Sequence, residues 1–173
     1  MDKKNKYTNL PEELYLNMVS SMPIICTDII PVREKNGVLQ IGVIKRATGK
    51  ESGKFAILGG RVALNETITE AIERHLFQDL SINRFSYFNR NSDSQPFYVQ
   101  QYFRGTKSTP PYGFDPSKHS ITPTYLITIT DTPTPKNEAS EFKWITKQQI
   151  PNLTAYNQNI VMKEAFNWLS TEK

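Results

Sequence analysis

One cysteine, Cys26, stands in the chain of 173 residues, so no internal disulfide can form. A reducing, cytoplasmic setting is the expectation. Long apolar runs are missing as well: the longest, such as Met22–Cys26, falls far short of a membrane span. The opening MDKKNKYTNL is charged and has no apolar h-region, which argues against a secretory signal. No G-x-G-x-x-G follows a strand pattern and no Walker lysine motif occurs, which excludes the usual dinucleotide and P-loop sites. Internal repeats and low-complexity segments are absent. Long runs of one charge are lacking too. The net charge is only +4 and the basic residues are spread out, with the densest stretch, Asp2–Lys6, reading as a solvated tail. Nucleic acid is therefore not the expected partner.

What is present describes one globular domain. Hydrophobic residues make up 38% and charged residues 22% of the chain, enough apolar content for a single core. The expectation is a tail over 1–8 and one domain over 9–173. Pro11-Glu12-Glu13 opens a short helix with Leu14, Met18 and Val19 on its apolar side, and Pro23 ends it. Met22–Val32 holds a strand buried on both faces, interrupted by Asp28. Lys35-Asn36-Gly37 is a tight turn leading to a hairpin partner at Val38–Arg46. Strands follow at Phe55–Leu58, Asn83–Phe88, Phe97–Phe103, Ile121–Thr130 and Glu141–Ile145, with a long loop over Gly105–Ser120. Thr154 caps a last helix over Ala155–Leu169. Interspersed helices and adjacent hairpins predict a mixed sheet covered on both faces, an α+β domain.

The segment that organises the chain is Phe55–Ile82, a strand, a double glycine, a polar loop and an amphipathic helix from near Thr67 to near Leu80. Ile68, Ile72, Leu76 and Leu80 form one stripe of that helix. Asp79 projects within the stripe and His75 borders it. Polar groups at a buried face are where a helix can present ligands to a cleft.

Gly60, Glu66 and Arg74 stand at the spacing G-x5-E-x7-R. This resembles the front half of the Nudix box, G-x5-E-x7-R-E-U-x-E-E-x-G-U. Where the back half asks for glutamates and a glycine, the chain has His75, Gln78, Asp79 and Ser81. That pattern is similar to the GDP-mannose mannosyl hydrolase branch of the Nudix families, as are Gly59-Gly60-Arg61-Val62, Lys45-Arg46 and Glu141–Thr146. The resemblance implies a Nudix fold, an α/β/α sandwich with a mixed sheet between helices. It implies Mg2+ (or Mn2+) dependent attack of water on the sugar C1 of a nucleoside diphosphate sugar, releasing NDP, and a homodimer, for which the helix with Leu14, Tyr15 and Met18 is available. The degraded box also fits a Nudix-fold protein that binds a nucleotide metabolite without turnover.

On this reading Asp79, the carbonyl of Gly60 (or Gly59) and Gln78 are the metal-ligand candidates, hard oxygen donors of the kind Mg2+ takes alongside water and phosphate. Arg46 and Arg61 are placed on the diphosphate, where a guanidinium can fork two oxygens and stabilise the departing charge. Asp28, a carboxyl inside a buried strand, needs partners or a purpose, and the resemblance places it at the sugar end. Lys118 is a further phosphate contact and Tyr112 a stacking candidate. His119 is the candidate general base, since imidazole is the side chain type most often used for proton transfer at neutral pH, with Asp115 as the alternative. Arg74 has two structural readings, an i,i+4 pair with Glu70 or a bond to Glu66 in the loop.

Overall fold

The computed structural model describes residues 10–88, 92, 94–105 and 111–171. The expected tail over 1–8 lies outside them. The sequence of elements is α1 (Glu12–Ser21), β1 (Ile24–Lys35), β2 (Val38–Arg46), β3 (Phe55–Ala56), β4 (Leu58–Arg61), α2 (Ile68–Leu80), β5 (Phe85–Tyr87), β6 (Tyr98–Phe103), β7 (Gly113–Phe114), β8 (Ser120–Ile129), β9 (Ala139–Ile145) and α3 (Asn159–Thr171). Short 3-10 turns precede α3.

The strands form one mixed sheet of order β3-β2-β1-β8-β6-β7, with β4 on β1, β5 on β8 and β9 on β2. The long strand β1 is its spine. It pairs in parallel with β8, in register Asp28 to Thr124, and antiparallel with β2 and β4. Asn36 and Gly37, both at positive φ, close the β1–β2 hairpin. Side chains alternate across a strand, so β1 and β8 feed two cores. Ile29, Tyr125 and Ile127 pack against Ile72, Leu76 and Leu80 of α2. Ile30, Val32 and Leu126 pack against Val161, Met162, Ala165 and Phe166 of α3. The expected α/β/α sandwich is what forms.

Three elements differ from the sequence reading. The segment read as a long loop after Gly105 contains β7, which pairs in parallel with the end of β6. The last helix starts at Asn159 rather than Ala155, because Tyr156 and Asn157 adopt left-handed φ values of 58° and break it. Thr154 still caps it, accepting from the Asn159 amide at 2.9 Å. α1 has no buried residue; its Leu14 and Leu16 are exposed.

Candidate functional site

A cavity of about 210 Å3 opens on the α3 side of the sheet. Alternation explains which residues reach it: Cys26 and Asp28 of β1, Tyr102 of β6, Ser120 and Thr122 of β8, and Gly59 and Arg61 of β4 share that face. Tyr15 of α1, Tyr156 and Gln158 from the turn before α3, and Asp115 and Lys118 from the β7–β8 loop complete the wall.

Asp28 lies at its base and is 5% exposed. Its Oδ2 accepts from the Tyr102 hydroxyl at 2.9 Å and from Gln158 Nε2 at 3.1 Å. Gln158 Oε1 in turn accepts from the Ile57 amide at 2.9 Å. Burial pushes the Asp28 carboxyl up to about 7, against the pull of Tyr102, Gln158, Lys118 and Arg46. Burial and the neighbouring Asp28 push Tyr102 up, so it stays a phenol and donates. Gly59 is required beside Asp28: a Cβ there would lie 2.2 Å from the Thr27 carbonyl oxygen and 2.6 Å from Asp28 Oδ1.

Three cations from three elements line the same wall. Arg46 comes from β2, Arg61 from β4 and Lys118 from the loop before β8. Lys118 Nζ donates to Asp115 Oδ2 at 2.9 Å. Burial opposes the Lys118 charge, yet Cys26 and Asp115 raise its pKa above the usual range. Burial pushes the Cys26 thiol up to about 11, so it is neutral at pH 7 and Asp115 is the anion that matters. Arg46 NH1 stands 3.4 Å from Glu138 Oε2, its guanidinium over the Tyr156 ring, while its buried Nε has no partner among the described residues. Arg61 lies over the Tyr15 ring. A buried, part-paired guanidinium with an unused donor suits an incoming anion.

The other sequence candidates fall elsewhere. His119 does not reach the cavity. Tyr102 pairs with Ser120, so the next residues out, Phe103 and His119, share the opposite face of the sheet. There His119 stacks on Phe103 at 4.5 Å, and Tyr112 meets the edge of the same ring at 5.1 Å. Strand parity turns His119 away from the cavity, Tyr112 lies against the same Phe103 ring, and neither lines the cavity. Asp115 does line the cavity, but both its oxygens are engaged, one by the Ser117 amide and one by Lys118. It holds Lys118 in place rather than standing free as a base.

The helix α2 packs on the far face. Gly60 points at it: a Cβ there would lie 2.4 Å from the His75 ring. The Val62 amide donates to the Ile25 carbonyl, which sets Gly60 and Thr27 as the next hydrogen-bonded pair and turns the Gly60 carbonyl into the ladder. Asp79 is buried, accepts from the Glu138 amide at 3.3 Å and lies 3.8 Å from His75 Nδ1. The Gln78 carbonyl accepts from Asn137 Nδ2. Neither Asp79 nor Gln78 lines the cavity, and among the described residues no three His, Cys, Asp or Glu side chains converge on a metal position. This donor set does not fit the Mg2+ or Mn2+ expected from the resemblance. Asp79 accepts from the Glu138 amide on one oxygen from the α2 side, the Gly60 carbonyl faces its own ladder although Gly60 borders the cavity, and the cations stand on the other face of the sheet, so these donors do not converge on one position.

Arg74 ties the box together structurally. Its Nε and NH2 donate to the two oxygens of Glu66 at 2.7 and 2.8 Å, and NH2 also donates to the Arg61 carbonyl. Burial alone would raise Glu66, but Arg74 and the Ala63 amide hold it below the usual carboxylate range. Of the two structural readings the Glu66 bond is the one formed. Glu70 instead completes a capping box with Thr67.

Sequence reasoning missed Tyr102, Gln158, Glu138 and Tyr156. The buried Asp28 demanded donors, but nothing local to residue 28 names partners 74 and 130 positions away. A usable signal existed in the alternation of Tyr98, Gln100 and Tyr102 on one face of β6.

Solved structures share this architecture. One from Jonesia denitrificans, described as a possible asymmetric diadenosine tetraphosphate (Ap4A) hydrolase, is 27% identical over 85% of this chain and 94% of that one, with a TM-score of 0.69. An Ap4A hydrolase binary complex from C. elegans is 11% identical over 87% and 99%, with a TM-score of 0.65. The NUDIX domain of Shewanella oneidensis NrtR, complexed with ADP ribose, is 16% identical over 92% and 99%, with a TM-score of 0.57. No curated protein sequence matches. The curled mixed sheet between α2 and α3 is thus the Nudix fold, and with a family model matching residues 8–169 the chain belongs to the family described as Domain of unknown function (DUF4916).

Proposed function

We propose that this chain is a Nudix-fold hydrolase of a nucleoside diphosphate derivative, with a nucleotide sugar such as GDP-mannose as the substrate class. The observation that carries the reading is the convergence of Arg46, Arg61 and Lys118 on one cavity whose base holds a buried carboxyl. The cations take the diphosphate and stabilise the charge that develops on it as it leaves. The uncharged floor of Ser120, Thr122, Tyr102 and Gln158 takes the hydroxyls of the glycosyl group. The buried Oγ1 of Thr122 has no partner among the described residues and is free for such a bond. Ap4A and ADP ribose, the compounds named for two of the structural neighbours, are of the same phosphate-ester class. A homodimer through the exposed side of α1 belongs to this reading, and sedimentation would give the mass of the assembly.

A second reading, binding without turnover, is favoured by the missing box carboxylates and by the poor metal donor set. One experiment separates the two. The chain is incubated with GDP-mannose and other nucleotide sugars, with and without added Mg2+, and products are resolved by chromatography. Free sugar with intact NDP is the expected result. Nucleoside monophosphate with sugar phosphate would instead place the attack at phosphorus. Saturable binding with no product would leave only the second reading.

A further inference from the structure

Resting on the hydrolase reading, we propose that Asp28 is the general base of the cavity and that its Oδ1 is the atom that takes the proton from the attacking water. Hydrogen-bond polarity fixes the roles of the two carboxyl oxygens. The Ile57 amide can only donate, so the Gln158 oxygen must face it and the Gln158 NH2 must face Asp28. Tyr102 keeps its proton and donates to the same oxygen. Oδ2 therefore accepts twice and has no room for a proton of its own. Oδ1 has no hydrogen-bond partner among the described residues and looks past Gly59, whose missing side chain leaves the approach open. Any proton the carboxyl gains must sit on the oxygen that faces the cavity.

Other acids and bases on the wall are engaged. Asp115 is paired on both oxygens, and Glu138 is paired with Arg46 and half exposed. The groups around Asp28 are Lys118 and Asp115 from the loop, Arg46 of β2, Arg61 of β4, Cys26 of β1 and Tyr102 of β6. Burial opposes the ionised form, while the hydrogen bonds from Tyr102 and Gln158 and the charges of Lys118 and Arg46 favour it. The balance places the titration near pH 7, where a base that must accept a proton and then release it works best.

The step balances without a further reactant. The water oxygen bonds to the sugar C1, the bond from C1 to the diphosphate oxygen breaks, and its electron pair leaves on NDP beside Arg46, Arg61 and Lys118. The water proton goes to Asp28 Oδ1. Gln158 and Tyr102 are positioning residues that fix the carboxyl's orientation.

The test is the pH profile of GDP-mannose hydrolysis for the wild type, Asp28→Asn and Tyr102→Phe. Asp28→Asn keeps the geometry, since its amide oxygen can accept from both donors, but it cannot take a proton. It is expected to lower kcat about 100-fold with KM nearly unchanged. The wild-type rate is expected to rise with pH through a midpoint near 7 and to level off about one pH unit above it. Tyr102→Phe removes a donor that favours the ionised form, so its rising limb is expected at higher pH. Turnover by Asp28→Asn at the wild-type rate, or a flat wild-type profile, overturns the base and leaves the hydrolase reading standing. No turnover of any nucleotide sugar by the wild type, with binding retained, overturns both.

Discussion

At the residue scale the chain stores an unfavourable charge at Asp28. The folded carboxyl titrates at about 7 against an ordinary value of 3.8. The folded state therefore binds the extra proton between those values, and stability falls as pH rises through that window. In full the loss is on the order of 4 kcal/mol. Asp28→Asn, which has no charge to bury, is expected to be more stable than the wild type at pH 8 and similar to it near pH 4. Urea unfolding at the two pH values measures the difference. Glu66 behaves in the opposite sense. Its pKa is held down, so the stability it contributes is present above the ordinary carboxylate range and is lost as pH falls. Removing its partner by Arg74→Ala leaves a buried carboxylate with only the Ala63 amide and is expected to cost about 3 kcal/mol at pH 7. The residues of the box were legible in the sequence because their spacing is local. The donors to Asp28 were not, because they are set by strand register and by the start of α3.

At the element scale, α2 shows how much one helix can declare. Its stripe, its start near Thr67 and its end at Leu80 all follow from the sequence and all form, and Thr67 caps it. Its last feature is Ser81, which stands where the box asks for glycine. Ser81 adopts the left-handed conformation, φ 57°, and its amide and that of Ile82 close the helix end on Phe77 and Leu76. A side chain there is strained, so Ser81→Gly is expected to stabilise the protein by about 1 kcal/mol. A thermal unfolding shift upward, with binding unchanged, is the measurement. The β7 strand was not legible because two residues carry no periodicity; only its pairing with β6 defines it. The side of the sheet that His119 takes was not legible for a related reason. Its distance from Tyr125 in the chain does not say which face of the sheet it extends, and parity decides that.

At the scale of the whole molecule, the site is split by the sheet. The cations and Asp28 lie on the α3 side, and Glu66, Arg74, His75 and Asp79 of the box remnant lie on the α2 side, while Gly60 borders the cavity. Binding of a nucleoside diphosphate should therefore rest on Arg46, Arg61 and Lys118 rather than on a bridging ion. Affinity for GDP, measured by calorimetry, is expected to survive EDTA. It is also expected to weaken as salt is raised from low to physiological strength, because the diphosphate arrives from solvent, where ions screen its attraction to the cavity. Arg46→Ala is expected to weaken GDP by at least tenfold, since it removes a charge-assisted donor from a buried position. The sequence by itself determined most of the elements, the α2 stripe and the Nudix-like spacing, because helix and strand periods and caps are set by neighbours a few residues apart. The tertiary structure decided which polar residues share a cavity. That choice depends on strand register and sheet parity, and one residue of shift moves a side chain to the other side of the molecule.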